Sequence, residues 1–280
     1  MKTVVITGSA RGFGYAMIEE FYKKGFNVVL CGINYEELKN AKKKLESFNK
    51  KGIILSYKMD VTNEDDIIRV IDSVLEKLGR IDIWINNAGV NQPMDPIWEL
   101  SSNVINRLID IDLKGTILCS KFIMPVMIKQ KSGAIYNVEG YGSNNATMSG
   151  LSIYGMSKRA VTYFIEALAK ESKDNGNYVN VGKITPGIMI TNFIGTSMGD
   201  GDKINLSEKT KNVYNILGDK PEVIAKYMVD KICKNKSNNV KFVWLTTRRA
   251  VFRFIGAMLG KIVILIIKNK DYIKRGLCYE

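Results

Sequence analysis

Histidine is absent from this chain of 280 residues. That absence removes imidazole metal ligands and every Ser–His or Cys–His nucleophile pair. Proton transfer must come from Tyr, Lys, Asp, Glu or Cys. Cysteine is sparse: Cys31, Cys119, Cys233 and Cys278 lie far apart with no Cys-x-x-Cys pair. They read as reduced thiols of a cytosolic protein, with no disulfide or metal pattern. With only five prolines and no long polar tract, the chain gives no sign of disordered linkers, and no internal repeat is visible. The opening residues lack the flanks and length of a signal peptide and read as a first strand. Acidic residues are fewer than basic ones, 28 against 41, for a net charge of +13. Such a balance can favour nucleic acid, an anionic membrane or anionic ligands. The basic residues form no base-stacking aromatic pattern and no nucleic-acid module, so nucleic acid is not an expected partner.

What is present suits one large α/β domain: 46% hydrophobic and 25% charged residues are ordinary for a globular protein. Apolar runs predict strands at 3–7, 27–31, 53–59, 81–85, 134–138, 178–184 and 241–245. Amphipathic patterns predict helices at 13–24, 35–48, 64–78, 104–130, 154–173 and 220–234, with Pro125 a candidate kink and Pro221 in a first turn. The alternation predicts a Rossmann-like, doubly wound parallel sheet of about seven strands, with helices on both faces. The Gly-, Ser-, Asn- and Thr-rich stretch 188–219 reads as a long mobile excursion at a strand's carboxyl end, a natural lid.

Two local patterns carry chemistry. Thr7-Gly8-Ser9-Ala10-Arg11-Gly12-Phe13-Gly14 joins the first strand to the first helix. Its order is Gly-x-x-x-Gly-x-Gly, which lets the backbone turn tightly and approach a pyrophosphate at a helix N-terminus. Tyr154 and Lys158 are four apart, on one face of a helix. An ammonium beside a phenol lowers the phenol's pKa and tunes it for proton exchange with a carbonyl or alcohol.

With Asn86-Asn87-Ala88-Gly89 after the fourth strand, and Pro186-Gly187 followed by Thr191, these motifs stand in one order over about residues 1–245. In that arrangement the chain resembles the short-chain dehydrogenase/reductase family. The resemblance implies Tyr154 as general acid/base and Lys158 as its tuner and as a contact to the nicotinamide ribose. It also implies that Asn87, Ala88 and Gly89 line the adenosine side, and that Asp60 and Val61 contact the adenine. Pro186, Gly187 and Thr191 would flank the carboxamide, and Gly8, Ser9, Arg11, Gly12, Phe13 and Gly14 would form the pyrophosphate turn. No metal is expected. The second strand ends Cys31-Gly32-Ile33-Asn34, with no carboxylate before Glu36 to take a ribose 2′-hydroxyl. Arg11 in the glycine turn and Lys39 and Lys42–Lys44 beyond the strand favour NADP(H) as cofactor over NAD(H).

Two positions depart from the family. The serine expected after the fifth strand falls at Glu139 or Gly140, and Ser143, in Val138-Glu139-Gly140-Tyr141-Gly142-Ser143, is the expected substitute. That stretch is similar to a subgroup containing chlorophyll b reductases and related bacterial proteins. The usual asparagine of the helix over 104–130 is Asp112, a carboxylate that cannot donate a hydrogen bond when ionised but could pair with Lys158.

Past the last strand, residues 248–280 read as a basic, apolar extension of a 1–247 catalytic domain. Eight cations there face only Asp271 and Glu280, and Arg253 and Lys261 interrupt the apolar run 251–267. Those interior charges disfavour a membrane span. The extension packs on the domain, forms a subunit interface, or rests on an anionic membrane through 248–275. The sequence thus predicts a cytoplasmic homodimer or homotetramer, with peripheral membrane contact an alternative placement. It would transfer hydride between NADP(H) and a carbonyl or secondary alcohol of a bulky hydrophobic substrate. The alternative is a nucleotide-binding sensor or scaffold without turnover.

Overall fold

The computed structural model describes residues 1–189 and 208–258. Seven strands form one wholly parallel sheet: β1 (Thr3–Ile6), β2 (Asn27–Gly32), β3 (Ile54–Lys58), β4 (Ile83–Asn86), β5 (Gly133–Val138), β6 (Val179–Thr185) and β7 (Val240–Val243). Their order is β3-β2-β1-β4-β5-β6-β7, with pairs such as Val5↔Val29 and Val5↔Trp84 fixing the central register. The order reverses between β1 and β4, leaving a crevice at the carboxyl ends where open α/β sheets bind ligands.

Between them run α1 (Gly12–Lys23), α2 (Tyr35–Glu46), α3 (Glu64–Leu78), α4 (Ser102–Leu108), α5 (Thr116–Lys129), α6 (Ser152–Asp174), α7 (Glu208–Leu217), α8 (Pro221–Lys234) and, after β7, α9 (Thr247–Met258). Helix ends follow ordinary capping chemistry: Asn34 and Asn63 accept from Glu37 and Asp66 N–H groups, and Gly79 closes α3 in the left-handed region. Alternation along β1 sends Val4 and Ile6 to one core, with α1 and α8, and Val5 to the other, with α3 and α5. Both sheet faces are therefore covered, which is why the strands are nearly continuous apolar runs.

Two expected elements differ. The single helix expected over 104–130 is broken: α4 gives way to a π-helical segment, Ile109–Gly115, before α5 begins. Gly115 lies against Val61, close enough that a Cβ would meet its Cγ2 at 2.6 Å, so the segment approaches the 60–61 turn more closely than a side chain would permit. Part of the stretch expected as an excursion is helix α7, tied back by the Met189↔Asp219 bridge. Residues 190–207, with Thr191, lie outside the described residues.

Candidate active site

The glycine turn is built from backbone and one hydroxyl. Thr7 Oγ1 accepts from both Asn87 N and Ala88 N at 2.9 Å, and Asn87 Nδ2 donates to Thr7 O and Gly8 O at 2.9 and 3.0 Å. The β1 and β4 turns are thus knitted into one floor, with Gly14 packed against the Asn87 amide. Ser9 holds β1 to β2: its hydroxyl donates to Ile6 O and accepts from Cys31 N. Phe13 points into the core. Gly12 has φ +59° and open space where a Cβ would project. The α1 N-terminus has no side-chain cap and no acid in its first turn. Its first N–H groups therefore suit an anionic group such as a pyrophosphate.

Arg11, with its side chain 69% exposed, stands at the mouth of this turn 3.3 Å from Glu37 of α2. Asp60 is turned inward on its own loop, accepting from Thr62 N and Oγ1 at 2.9 and 2.8 Å, and Val61 is buried beside it. Thr7, Val61, Asn86, Ala88, Ile111, Gly115 and Thr116 line a small recess between this floor and the π-helical segment. Pro186 is buried at the end of β6, and Gly187 after it is exposed with φ +76°.

Tyr154 and Lys158 both face inward from α6 and are nearly buried. Lys158 Nζ lies 5.4 Å from the centre of the Tyr154 ring. It also lies 2.8 Å from Asp112 Oδ2, although the approach is too oblique for a directed hydrogen bond. Asp112 Oδ1 accepts from Val90 N at 2.7 Å, and Gly89 backs onto the same carboxylate. The π-helical segment thus brings a carboxylate to the amine beneath the Asn-Asn-Ala-Gly turn.

This corrects the expected tuning. Burial is the largest influence on Tyr154 and pushes its pKa above the ordinary phenol value. Lys158 pulls it down, but Asp112 and Tyr214 of α7 oppose that pull. For Lys158 burial disfavours the charge, yet Asp112 and then Tyr154 outweigh it and leave the ammonium above its ordinary range. Burial and Asp112 thus outweigh Lys158 and favour the protonated phenol.

Gly140 answers the missing serine. A Cβ there would sit 2.1 Å from the Tyr154 hydroxyl, so the phenol occupies the space that a side chain would need. Glu139 is turned into a buried network instead. Its carboxylate accepts from Thr162 Oγ1 at 3.0 Å and Thr185 Oγ1 at 2.6 Å, and pairs with Lys241 at 2.8 Å. Ser143 is buried three residues on; its hydroxyl donates to Gly140 O at 2.6 Å and accepts from Gly140 N at 3.2 Å. It therefore braces the backbone against which Tyr154 rests.

Sequence reasoning missed Gln92. It is fully buried; its Oε1 accepts from Tyr154 N at 2.8 Å and its Nε2 donates to Gly150 O at 2.8 Å. Leu151 offers no side-chain cap to α6, so Gln92 caps that helix from across the fold. Only its position shortly after Asn86-Asn87-Ala88-Gly89 could have drawn notice. Cys31 and Cys119 are free and buried; burial pushes the Cys31 thiol up to about 12 and Cys119 higher, so neither is an activated nucleophile.

The family model described as short chain dehydrogenase matches residues 2–199. The chain is 28% identical over 278 residues to a probable chloroplastic chlorophyll(ide) b reductase of rice (Oryza sativa subsp. japonica). That match covers 93% of this chain but 53% of the relative, so the chain spans about half that protein's length. A crystal structure of a short chain dehydrogenase from Bacillus anthracis is 32% identical, with a TM-score of 0.71, covering 86% of this chain and 95% of that one. A metagenomic short-chain oxidoreductase in complex with NADP shares the fold at 22% identity, with a TM-score of 0.69, over 87% of this chain and 96% of that one.

Proposed function

The chain belongs to the short-chain dehydrogenase family, and we propose that it transfers hydride between NADP(H) and a carbonyl or secondary alcohol, with Tyr154 as general acid/base. The observation that carries this reading is the buried Tyr154–Lys158 pair at the carboxyl end of the sheet, beside an uncapped helix N-terminus. A nicotinamide dinucleotide would supply the hydride in reduction and accept it in oxidation.

The chain's own groups do the rest. The N–H groups opening α1 and the backbone at Gly8–Gly14 would hold the pyrophosphate, with Asn87, Ala88, Gly89, Asp60 and Val61 on the adenosine side. Arg11 would turn from Glu37, an exposed contact of small energy, to a ribose 2′-phosphate. NAD(H) would lack that partner. Pro186, Gly187 and Thr191 would flank the nicotinamide. Tyr154 Oη, held protonated, would give its proton to the substrate oxygen as hydride reaches the carbon. Lys158 would stabilise the resulting phenolate, and Asp112 would keep Lys158 charged and oriented. Ser143 would exchange its bond to Gly140 O for one to the substrate oxygen by a rotation about χ1.

The same reading takes a bulky hydrophobic substrate and a cytoplasmic homodimer or homotetramer, with 248–280 as a distinct extension of the 1–247 domain. A sensor without turnover would need Lys158 for binding but has no use for a phenol held beside it. The test is NADPH oxidation across hydrophobic ketones and aldehydes, with Tyr154→Phe in parallel. Loss of turnover by about 10²–10⁴-fold with cofactor binding retained is expected; turnover that survives removal of the phenol sinks the assignment.

A further inference from the structure

Helix α9 is amphipathic in an inverted sense. Arg249 and Arg253, with Ala250, Gly256 and Ala257, form its inward face, whereas Val251, Phe252, Phe254, Ile255 and Met258 are exposed. The inward face is fixed by specific contacts. Arg249 stacks 3.8 Å from the Trp244 ring centre and donates to Trp244 O at 2.8 Å. Arg253 donates to Leu217 O at 3.1 Å and pairs with Asp219 at 2.8 Å, both partners mostly buried. Rotating the helix to bury its apolar face would break these contacts and leave Asp219 without its guanidinium, which is costly. Phe252 and Met258 thus remain 64% and 87% exposed by construction.

Positions 248, 251, 252, 255 and 258 follow helical spacing, so Arg248 lies within an apolar stripe of Val251, Phe252, Ile255 and Met258. The chain then continues for 22 residues, in which Ile262–Ile267 is wholly apolar and is followed by Lys268, Lys270, Lys274 and Arg275. Apolar side chains interspersed with cations match the chemistry of a lipid interface with anionic headgroups. No described helix is long and apolar enough to cross a membrane, so the contact would be in the plane of the interface.

We propose that the Val251–Phe252–Ile255–Met258 face of α9 docks the protein on an anionic lipid surface. Arg253 ties α9 to the end of α7, and α7 carries Tyr214, which lies near enough to act electrostatically on Tyr154. With α9 on a lipid surface, a lipophilic carbonyl or alcohol could reach the protein from the membrane. That consequence rests on the oxidoreductase reading; the docking itself does not.

The test is co-sedimentation of the full chain with vesicles of phosphatidylcholine alone or enriched in phosphatidylglycerol. Binding at least about tenfold stronger to the anionic vesicles, weakened by salt, is expected. A Phe252→Ser/Ile255→Ser double variant should lose about tenfold or more of that binding while keeping its far-UV spectrum and NADPH affinity. Wild-type protein that stays in the supernatant, or a double variant that sediments equally, overturns the proposal. So does a chain ending at Met258 that loses all binding while the double variant keeps it, since that places the contact beyond α9. A double variant whose mass in light scattering falls, with vesicle binding unchanged, makes the face a protein interface instead. Failure of the wild type to bind NADPH counts against the oxidoreductase reading and leaves docking intact.

Discussion

Lys158 Nζ stands 2.8 Å from Asp112 Oδ2 in the interior, between α6 and the π-helical segment. This contact adds to burial in holding the pKa of the phenol beside it above its ordinary value. A lone buried lysine would lose its proton or pull a neighbouring phenol toward phenolate. Paired with Asp112, it remains charged but yields part of its influence over Tyr154.

Asp112→Asn tests this directly. Removing the carboxylate removes one influence that raises Tyr154, so the alkaline limb of carbonyl reduction should move to lower pH, as should the rise of alcohol oxidation. Lys158 and Tyr154 both have folded pKa values above their unfolded ones, so their contribution to stability is present below about pH 10 and lost as pH rises further. In the variant that alkaline loss should shrink, and stability at neutral pH should fall because a buried charge has lost its partner. An unchanged pH–rate profile would exclude the role given to Asp112.

Restoring a side chain at Gly140 should do harm. Gly140→Ala or Gly140→Ser places a Cβ against the Tyr154 hydroxyl, where overpacking typically costs about 1–3 kcal/mol. Because the displaced group is the acid/base, kcat should fall at least about tenfold while NADPH affinity changes little. A Gly140→Ser enzyme as active as the wild type would show that the phenol does not occupy that space.

Gln92→Ala removes the partners of Tyr154 N and Gly150 O together, both buried around it. Denaturant unfolding should report a loss of about 1–3 kcal/mol. The rate should fall through kcat more than through KM for NADPH, because the tyrosine's helix end loosens rather than the glycine turn. A stability change within error would mean that the α6 N-terminus is satisfied without Gln92.

Cofactor choice should respond to two residues that face each other. Arg11→Ala should weaken NADPH binding more than NADH binding, and Glu37→Ala should favour NADPH by freeing the guanidinium. Dissociation constants for both cofactors measure this, and equal losses for the two in Arg11→Ala would remove Arg11 from the 2′-phosphate site.

Much of the fold was legible because it is local. The alternation of strands and helices, the glycine turn after β1 and the four-residue spacing of Tyr154 and Lys158 depend on neighbours in the chain. The predicted helix over 64–78 coincides with α3 because its caps and apolar stripe lie within it. The broken helix over 104–130 was not legible, since the π-helical turn pairs with close packing of Gly115 on Val61, a contact from another loop.

The sequence by itself determined the parallel sheet and the helical spacing that sets Tyr154 and Lys158 on one face of α6, because periodicity and turn chemistry act over a few residues. Tertiary structure alone decided how those side chains are tuned. Burial sets the direction of the phenol's shift, Asp112 arrives from a separate helix, and Gln92 caps α6 from 62 positions away. It also decided which face of α9 turns outward, through Arg249 on Trp244 and Arg253 on Asp219. Desolvation and charge pairing depend on which distant groups share a space, and no pattern of sequence neighbours encodes that.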